Sequence, residues 1–98
     1  MEILKKIDSQ KVIVKISGRL DTQTAPELEK EIVTELGACG ELILDMNGLE
    51  YISSAGLRVI LKAQKLMNTQ GVMKLTGVNE SVMEVFEITG FLDIVTIE

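Results

Sequence analysis

The chain has 98 residues, of which 46% are hydrophobic and three are aromatic, and its formal net charge is −5. This length fits one domain with an aliphatic core, and an acidic surface without a basic cluster disfavours nucleic acid and anionic membranes as partners. One cysteine (Cys39) and no histidine rule out an internal disulfide and any Ser-His-Asp or Cys-His catalysis.

Two strands and a helix are predicted first. Residues 2–7 and 11–17 form an antiparallel hairpin around a turn at Asp8-Ser9-Gln10, because Val12, Val14 and Ile16 alternate at period two. Thr24 and Glu27 predict a capping box for the first helix. Its apolar positions are Leu28, Ile32 and Leu36, joined by Val33, and Gly37 and Gly40 are expected to end it.

A strand–loop–helix unit follows. Residues 41–46 contain three consecutive apolar residues, which is typical of a central parallel strand buried on both faces. A loop starting around residues 45–48 leads to a helix from Ser54 or Ala55 to Thr69. The wide apolar face of this helix lies opposite a basic stripe of Arg58, Lys62 and Lys65.

The last part of the chain predicts a strand over residues 72–76, a turn at Gly77 and a helix that Asn79 caps and Gly90 ends. Residues 92–97 are expected to form a short strand or an extended tail. The order ββαβαβαβ predicts one α/β domain over residues 1–98, with a mixed, mostly parallel sheet of four to five strands and three main helices.

Polar residues collect at the predicted carboxyl ends of the strands, where open parallel sheets bind ligands. Asp21 follows the second strand, Asp45 ends the third, Ser53 and Ser54 follow in its outgoing loop, and Thr76 and Gly77 end the fourth. Structural roles stay open for each of them. A serine before a helix is usually an N-cap, an aspartate often serves a turn, and the basic stripe is typical of a solvated helix face.

One of the paired serines is interpreted as a phosphoacceptor. A phosphoryl group adds a charge of about −1.5 to −2, and the amides and dipole of a helix N-terminus tolerate it. A partner fitted to a neutral hydroxyl would be released while the domain stays folded. Because the chain lacks a general base, we expect a switch whose phosphate is added and removed by other proteins. We expect no enzymatic activity, metal or cofactor.

Three segments resemble the STAS domain and, within it, the bacterial anti-sigma factor antagonists: residues 18–21, 44–49 and 51–58. The resemblance covers essentially the whole chain. It implies a cytoplasmic protein that binds an anti-sigma factor, which is also a serine kinase, and thereby frees a sigma factor. Phosphorylation by the kinase ends this binding, and a metal-dependent serine phosphatase restores it.

The motif of this family is Asp-Ser-Ser/Thr-Gly-Leu. When it is aligned on Gly56-Leu57, the phosphoserine falls on Ser54, Ser53 replaces the preceding acid, and Ala55 replaces the following hydroxyl residue. Ser53 remains an alternative acceptor. The expected partner contacts are Asp21, Asp45, Ser53, Ser54, Gly56 and Arg58, and the expected oligomeric state is a monomer or a weak dimer.

A small-ligand or nucleotide-binding module of the same fold stays open as the alternative function. The glycine-rich turns allow it, although the chain contains neither a Gly-x-x-x-x-Gly-Lys loop nor a Gly-x-Gly-x-x-Gly fingerprint. Calorimetry with GTP and ATP would distinguish the two functions. An aspartate-phosphorylated receiver is disfavoured, since no paired acids follow an early strand to hold magnesium.

Overall fold

The computed structural model describes residues 1–35 and 39–98. The predicted apolar position Leu36 and the predicted helix end at Gly37 lie outside these ranges. The described elements are β1 (Glu2–Asp8), β2 (Lys11–Leu20), α1 (Ala25–Glu35), β3 (Glu41–Ile52), α2 (Ser54–Asn68), β4 (Val72–Thr76) and α3 (Glu80–Thr89). The predicted class, α/β with a mixed sheet and three helices, is confirmed.

The sheet has the order β1-β2-β3-β4, with β1 antiparallel to β2 and the other neighbours parallel. Within the described residues, four of the predicted four to five strands form. Gly90 adopts φ +80° at the end of α3, and Phe91–Asp93 form a 3₁₀ turn whose hydrogen bonds are local. The last segment, expected as a short strand or an extended tail, therefore meets the sheet in one bridge between Ile97 and Leu75.

The core lies on one face of the sheet. Val14, Leu44 and Leu75 are neighbours in register, and all three are fully buried. The opposite face carries Ile13 and Ile43, which are only partly buried. The prediction that β3 is buried on both faces is therefore wrong. Successive right-handed crossovers that advance in one direction across the sheet place their helices on the same side.

Both central strands continue past the glycines that were expected to end them. Gly18 lies inside β2 with φ +93°, and Gly48 lies inside β3, where a Cβ would come within 2.7 Å of the Ser17 Cβ. Two register shifts between β2 and β3 absorb the extra residues of β3 as bulges. As a result, β3 reaches Ile52, and the loop expected from residue 45 onward is extended strand.

Within the described residues, no helix is both long enough and apolar enough to cross a membrane. The longest of them, α2, has 15 residues.

Candidate functional site

The N-terminus of α2 begins directly beside the carboxyl end of β2. Ile52 is the last residue of β3 and pairs with Leu20, and the backbone N–H of Ser53 donates to the Leu20 carbonyl at 2.9 Å. This bond fixes the point at which the chain leaves the sheet. It places the paired serines next to the β2–α1 connection, which starts at Asp21.

The two serines take different structural roles. Ser53 is the N-cap of α2, with extended backbone, and its Oγ accepts a hydrogen bond from the Gly56 N–H at 3.4 Å. Ser54 is the first helical residue, and its side chain is exposed to solvent. Ser53 thus takes the structural role expected of a serine before a helix, whereas Ser54 is exposed and does not cap the helix.

The first turn of α2 suits an added negative charge. It contains no acid, since its residues are Ser54, Ala55, Gly56 and Leu57. The backbone N–H groups of this turn and the positive end of the helix dipole favour a negative charge beside it. Arg58 lies one helical turn after Ser54 on the same side of the helix and is exposed, so its guanidinium can reach a phosphate there.

Gly56 allows α2 to begin close to the sheet. A Cβ on this residue would lie 2.6 Å from the Leu20 Cγ and 2.9 Å from the Ile52 Cγ1. Both leucine and isoleucine are buried, so neither can move into solvent. The glycine of the motif is therefore required by packing at this end of the helix, in addition to any contact with a partner.

Asp21 organises the turn between β2 and α1. Its Oδ1 accepts hydrogen bonds from the N–H groups of Gln23 and Thr24 at 3.0 and 3.1 Å, and its own N–H donates to the Thr24 Oγ1 at 2.9 Å. This reciprocal pair is a capping box three residues earlier than the one predicted for Thr24 and Glu27. The bond from the Thr24 N–H holds the pKa of Asp21 below its ordinary value.

Replacing Asp21 tests this role. We expect Asp21→Ala to lower the Tm by about 5 °C because a cap is lost, and Asp21→Asn to lower it less because the acceptor oxygen remains. The folded pKa lies below the ordinary 3.8. The charge of Asp21 therefore stabilises the folded protein above pH 3.8, and this stabilisation disappears as the pH falls through the folded pKa. Thermal unfolding at neutral and acid pH measures both effects.

The gap in Tm between wild type and Asp21→Asn should accordingly narrow at acid pH. A gap that is the same at both pH values would show that the charge of Asp21 contributes nothing.

Asp45 does not lie with the serines, contrary to the prediction that it ends a strand beside them. It sits within β3, in register with Lys15 and with Thr76 at the end of β4. Six residues of bulged strand lie between Asp45 and Ile52, a span of about 20 Å. Its Oδ1 accepts bonds from the backbone N–H and the side-chain Nδ2 of Asn47 at 3.0 and 2.7 Å, which lower its pKa.

Thr76 and Gly77, at the end of β4, lie beside Asp45 in the sheet. Gly77 has φ +68°, and a Cβ there would clash with the side-chain amide of Asn47. The predicted single cluster at the sheet edge therefore divides into two. Asp21 and the serines lie at the far end of β2 and β3, and the group around Asp45 lies where the shorter β4 stops.

A groove between α1 and α2 was missed by the sequence reasoning. It has a volume of about 230 Å³ and is lined by Thr22, Ala25, Pro26, Glu29, Ala55, Arg58 and Val59. The small residues at the start of both helices leave this space open. The ion pair between Lys62 and Glu29, 3.4 Å apart, joins the helices one turn further along. Small side chains in both first turns are a sequence signal that could have indicated the groove.

Among residues 1–35 and 39–98, no three acidic or cysteine side chains are grouped to hold a metal ion. Cys39 is buried, and its thiol donates to the Glu41 carbonyl.

The chain is similar to known proteins over nearly its full length. The family model of the STAS domain matches residues 2–98. BtrV of Bordetella bronchiseptica is 42% identical over 94 residues, which cover 93% of this chain and 79% of that protein. The anti-sigma-B factor antagonist of Bacillus subtilis is 30% identical over 93 residues, covering 94% and 85%. Among solved structures, TM1081 of Thermotoga maritima has a TM-score of 0.88 at 27% identity, covering 97% of this chain and 84% of that one. The chain therefore belongs to the STAS domain family.

Proposed function

We propose that this protein is an anti-sigma factor antagonist that phosphorylation of Ser54 switches off. It binds an anti-sigma factor that is also a serine kinase, and a sigma factor is freed. A serine phosphatase reverses the modification. The main support for the proposal is that the two serines have different structural roles: Ser53 caps α2, and Ser54 is exposed on its first turn.

The binding surface in this proposal, called the switch surface below, consists of Asp21, Ser53, Ser54 and Arg58, with the buried Gly56 beneath them. These residues surround the beginning of α2 and border the α1–α2 groove. The groove has apolar walls from Ala25, Ala55 and Val59, with a charged rim. A side chain of the anti-sigma factor can be buried there while its neighbours contact the neutral Ser54 hydroxyl.

Asp45 is left out of the switch surface because about 20 Å of strand separates it from the serines. We assign Asp45 a local structural role: its hydrogen bond fixes the side chain of Asn47, whose amide lies against Gly77.

The relatives support this function, since those that share 30% or more of their residues include proteins named as anti-sigma-B factor antagonists. A regulatory role for the whole chain, in the cytoplasm and without catalysis of its own, follows from the same proposal.

Phosphorylation of purified protein tests the assignment of the acceptor. After incubation with the cognate kinase and ATP, mass spectrometry should find one phosphate on Ser54 in wild type and none in Ser54→Ala. Ser53→Ala is the matched control, because it removes the neighbouring hydroxyl and should still be modified. Equal phosphorylation of wild type and Ser54→Ala, or modification only of proteins that retain Ser53, would contradict the assignment.

A further inference from the structure

The strand β1 forms an open edge of the sheet. It pairs only with β2 within the described residues, and six of its seven residues are exposed. Leu4 and Ile7 are 60% and 58% exposed. An extended edge of this length presents unpaired N–H and C=O groups together with apolar side chains, which is the usual template for adding another strand.

We propose that β1 pairs with β1 of a second copy of this chain, antiparallel, about a two-fold axis at Leu4. The two four-stranded sheets then become one continuous sheet. In this register Leu4 faces Leu4, Glu2 of each copy faces Lys6 of the other, and Met1 faces Ile7. Leu4 and Met1 thus meet apolar residues, and the Glu2–Lys6 ion pair occurs twice because of the symmetry.

The faces of the strand agree with this pairing. Glu2, Leu4 and Lys6 pair with Ser17, Lys15 and Ile13 of β2, and they therefore all lie on the sheet face that the helices leave open. Residues directly opposite each other in antiparallel strands share a face. The two ion pairs and the leucine contact therefore form one row across the junction on the open face.

Other two-fold registers are less favourable. An axis at Lys5 would oppose Lys5 to Lys5 and Glu2 to Asp8, and an axis at Lys6 would oppose two copies of Lys6. Like charges directly opposite each other destabilise a strand pair. An axis at Ile3 would oppose Glu2 to Leu4, so that the glutamate would face an apolar side chain instead of an opposite charge.

Lys5 does not prevent the pairing, although lysines often protect sheet edges. Its side chain points to the helix side of the sheet, where its Nζ lies 2.6 Å from a carboxylate oxygen of Glu31 in the same chain. The charge is therefore already compensated. In the proposed register Lys5 faces Ile3 of the other copy, and its aliphatic stem can pack on that side chain.

The resulting dimer is weak, because a single strand edge buries much less surface than a stable dimer interface. It uses no residue of the switch surface, so its existence does not depend on the proposed function.

Sedimentation velocity over a dilution series tests the proposal with charge-swapped variants. We expect wild type to shift toward a dimer as its concentration rises. Lys6→Glu places two glutamates opposite each other at both positions and should weaken dimerisation about tenfold. The double variant Glu2→Lys/Lys6→Glu restores opposite charges across the axis and should regain the affinity of wild type. Lys65→Glu, an exposed position on α2, is the control for the change in net charge and should dimerise as wild type does.

Either of two results would overturn the inference. One is a wild-type protein that stays monomeric at the highest concentration. The other is a double variant that dimerises no better than Lys6→Glu, since recovery is specific to the register centred at Leu4.

Discussion

Ser54→Asp is expected to weaken binding to the anti-sigma factor about a hundredfold or more, whereas Ser54→Ala retains it. In the proposed complex this position contacts the partner as a neutral hydroxyl, and a misplaced charge in an interface costs several kcal/mol. Loss of the hydroxyl alone leaves the shape of the surface unchanged. Calorimetric titration of the anti-sigma factor with the three proteins measures the difference.

The matched control is Ser53→Asp, one residue earlier. An aspartate is a good N-cap and can accept the bond from the Gly56 N–H, so this variant should keep its fold and its stability. Comparable loss of binding in Ser53→Asp and Ser54→Asp would mean that the partner responds to charge near the helix start in general. Unchanged binding in Ser54→Asp would contradict the proposed switch.

Gly56→Ala is expected to destabilise the protein by about 1–2 kcal/mol. The replacement of a helical glycine by alanine normally stabilises by up to about 1 kcal/mol. Here the new methyl group would meet the buried side chains of Leu20 and Ile52 at less than 3 Å, and overpacking of this kind costs about 1–3 kcal/mol. Urea unfolding of the variant measures the net effect.

A double-mutant cycle with Leu20→Ala identifies the cause. Leu20→Ala alone should cost about 2–5 kcal/mol, as for other buried leucines. In that background the contact with Leu20 is gone and the one with Ile52 remains, so the second substitution should cost less than it does in the wild-type background. Equal costs of Gly56→Ala in both backgrounds would show that the contact with Leu20 does not explain the requirement for glycine.

The periodic parts of the sequence predict the fold well. The alternation in β2 and the wide apolar face of α2 place the core, and Asn79 and Gly90 bound α3 as expected. Glycine was the main source of error, because a glycine in the sequence indicates a turn and a close approach of strands equally well. Gly48 was interpreted as part of a loop, but it allows β2 and β3 to approach closely. The predicted β3 was therefore six residues too short and ended at Met46 rather than Ile52.

The candidate site was predicted in part. Its location at the start of α2 follows from the pattern of strand, serines and helix. The separate roles of Ser53 and Ser54 could not be derived, because either hydroxyl can cap a helix that starts one residue earlier or later. Asp45 was misplaced together with the end of β3. The α1–α2 groove depends on the packing of two helices that are distant in sequence.

Release of a sigma factor from a preformed complex tests the central claim most directly. The sigma factor and its anti-sigma factor are assembled first, this protein is then added in unphosphorylated or phosphorylated form, and free sigma factor is measured by size-exclusion chromatography. We predict that the unphosphorylated protein releases the sigma factor and that the protein phosphorylated on Ser54 does not. A complex that stays intact with excess unphosphorylated protein, or that both forms dissociate equally, would contradict the account.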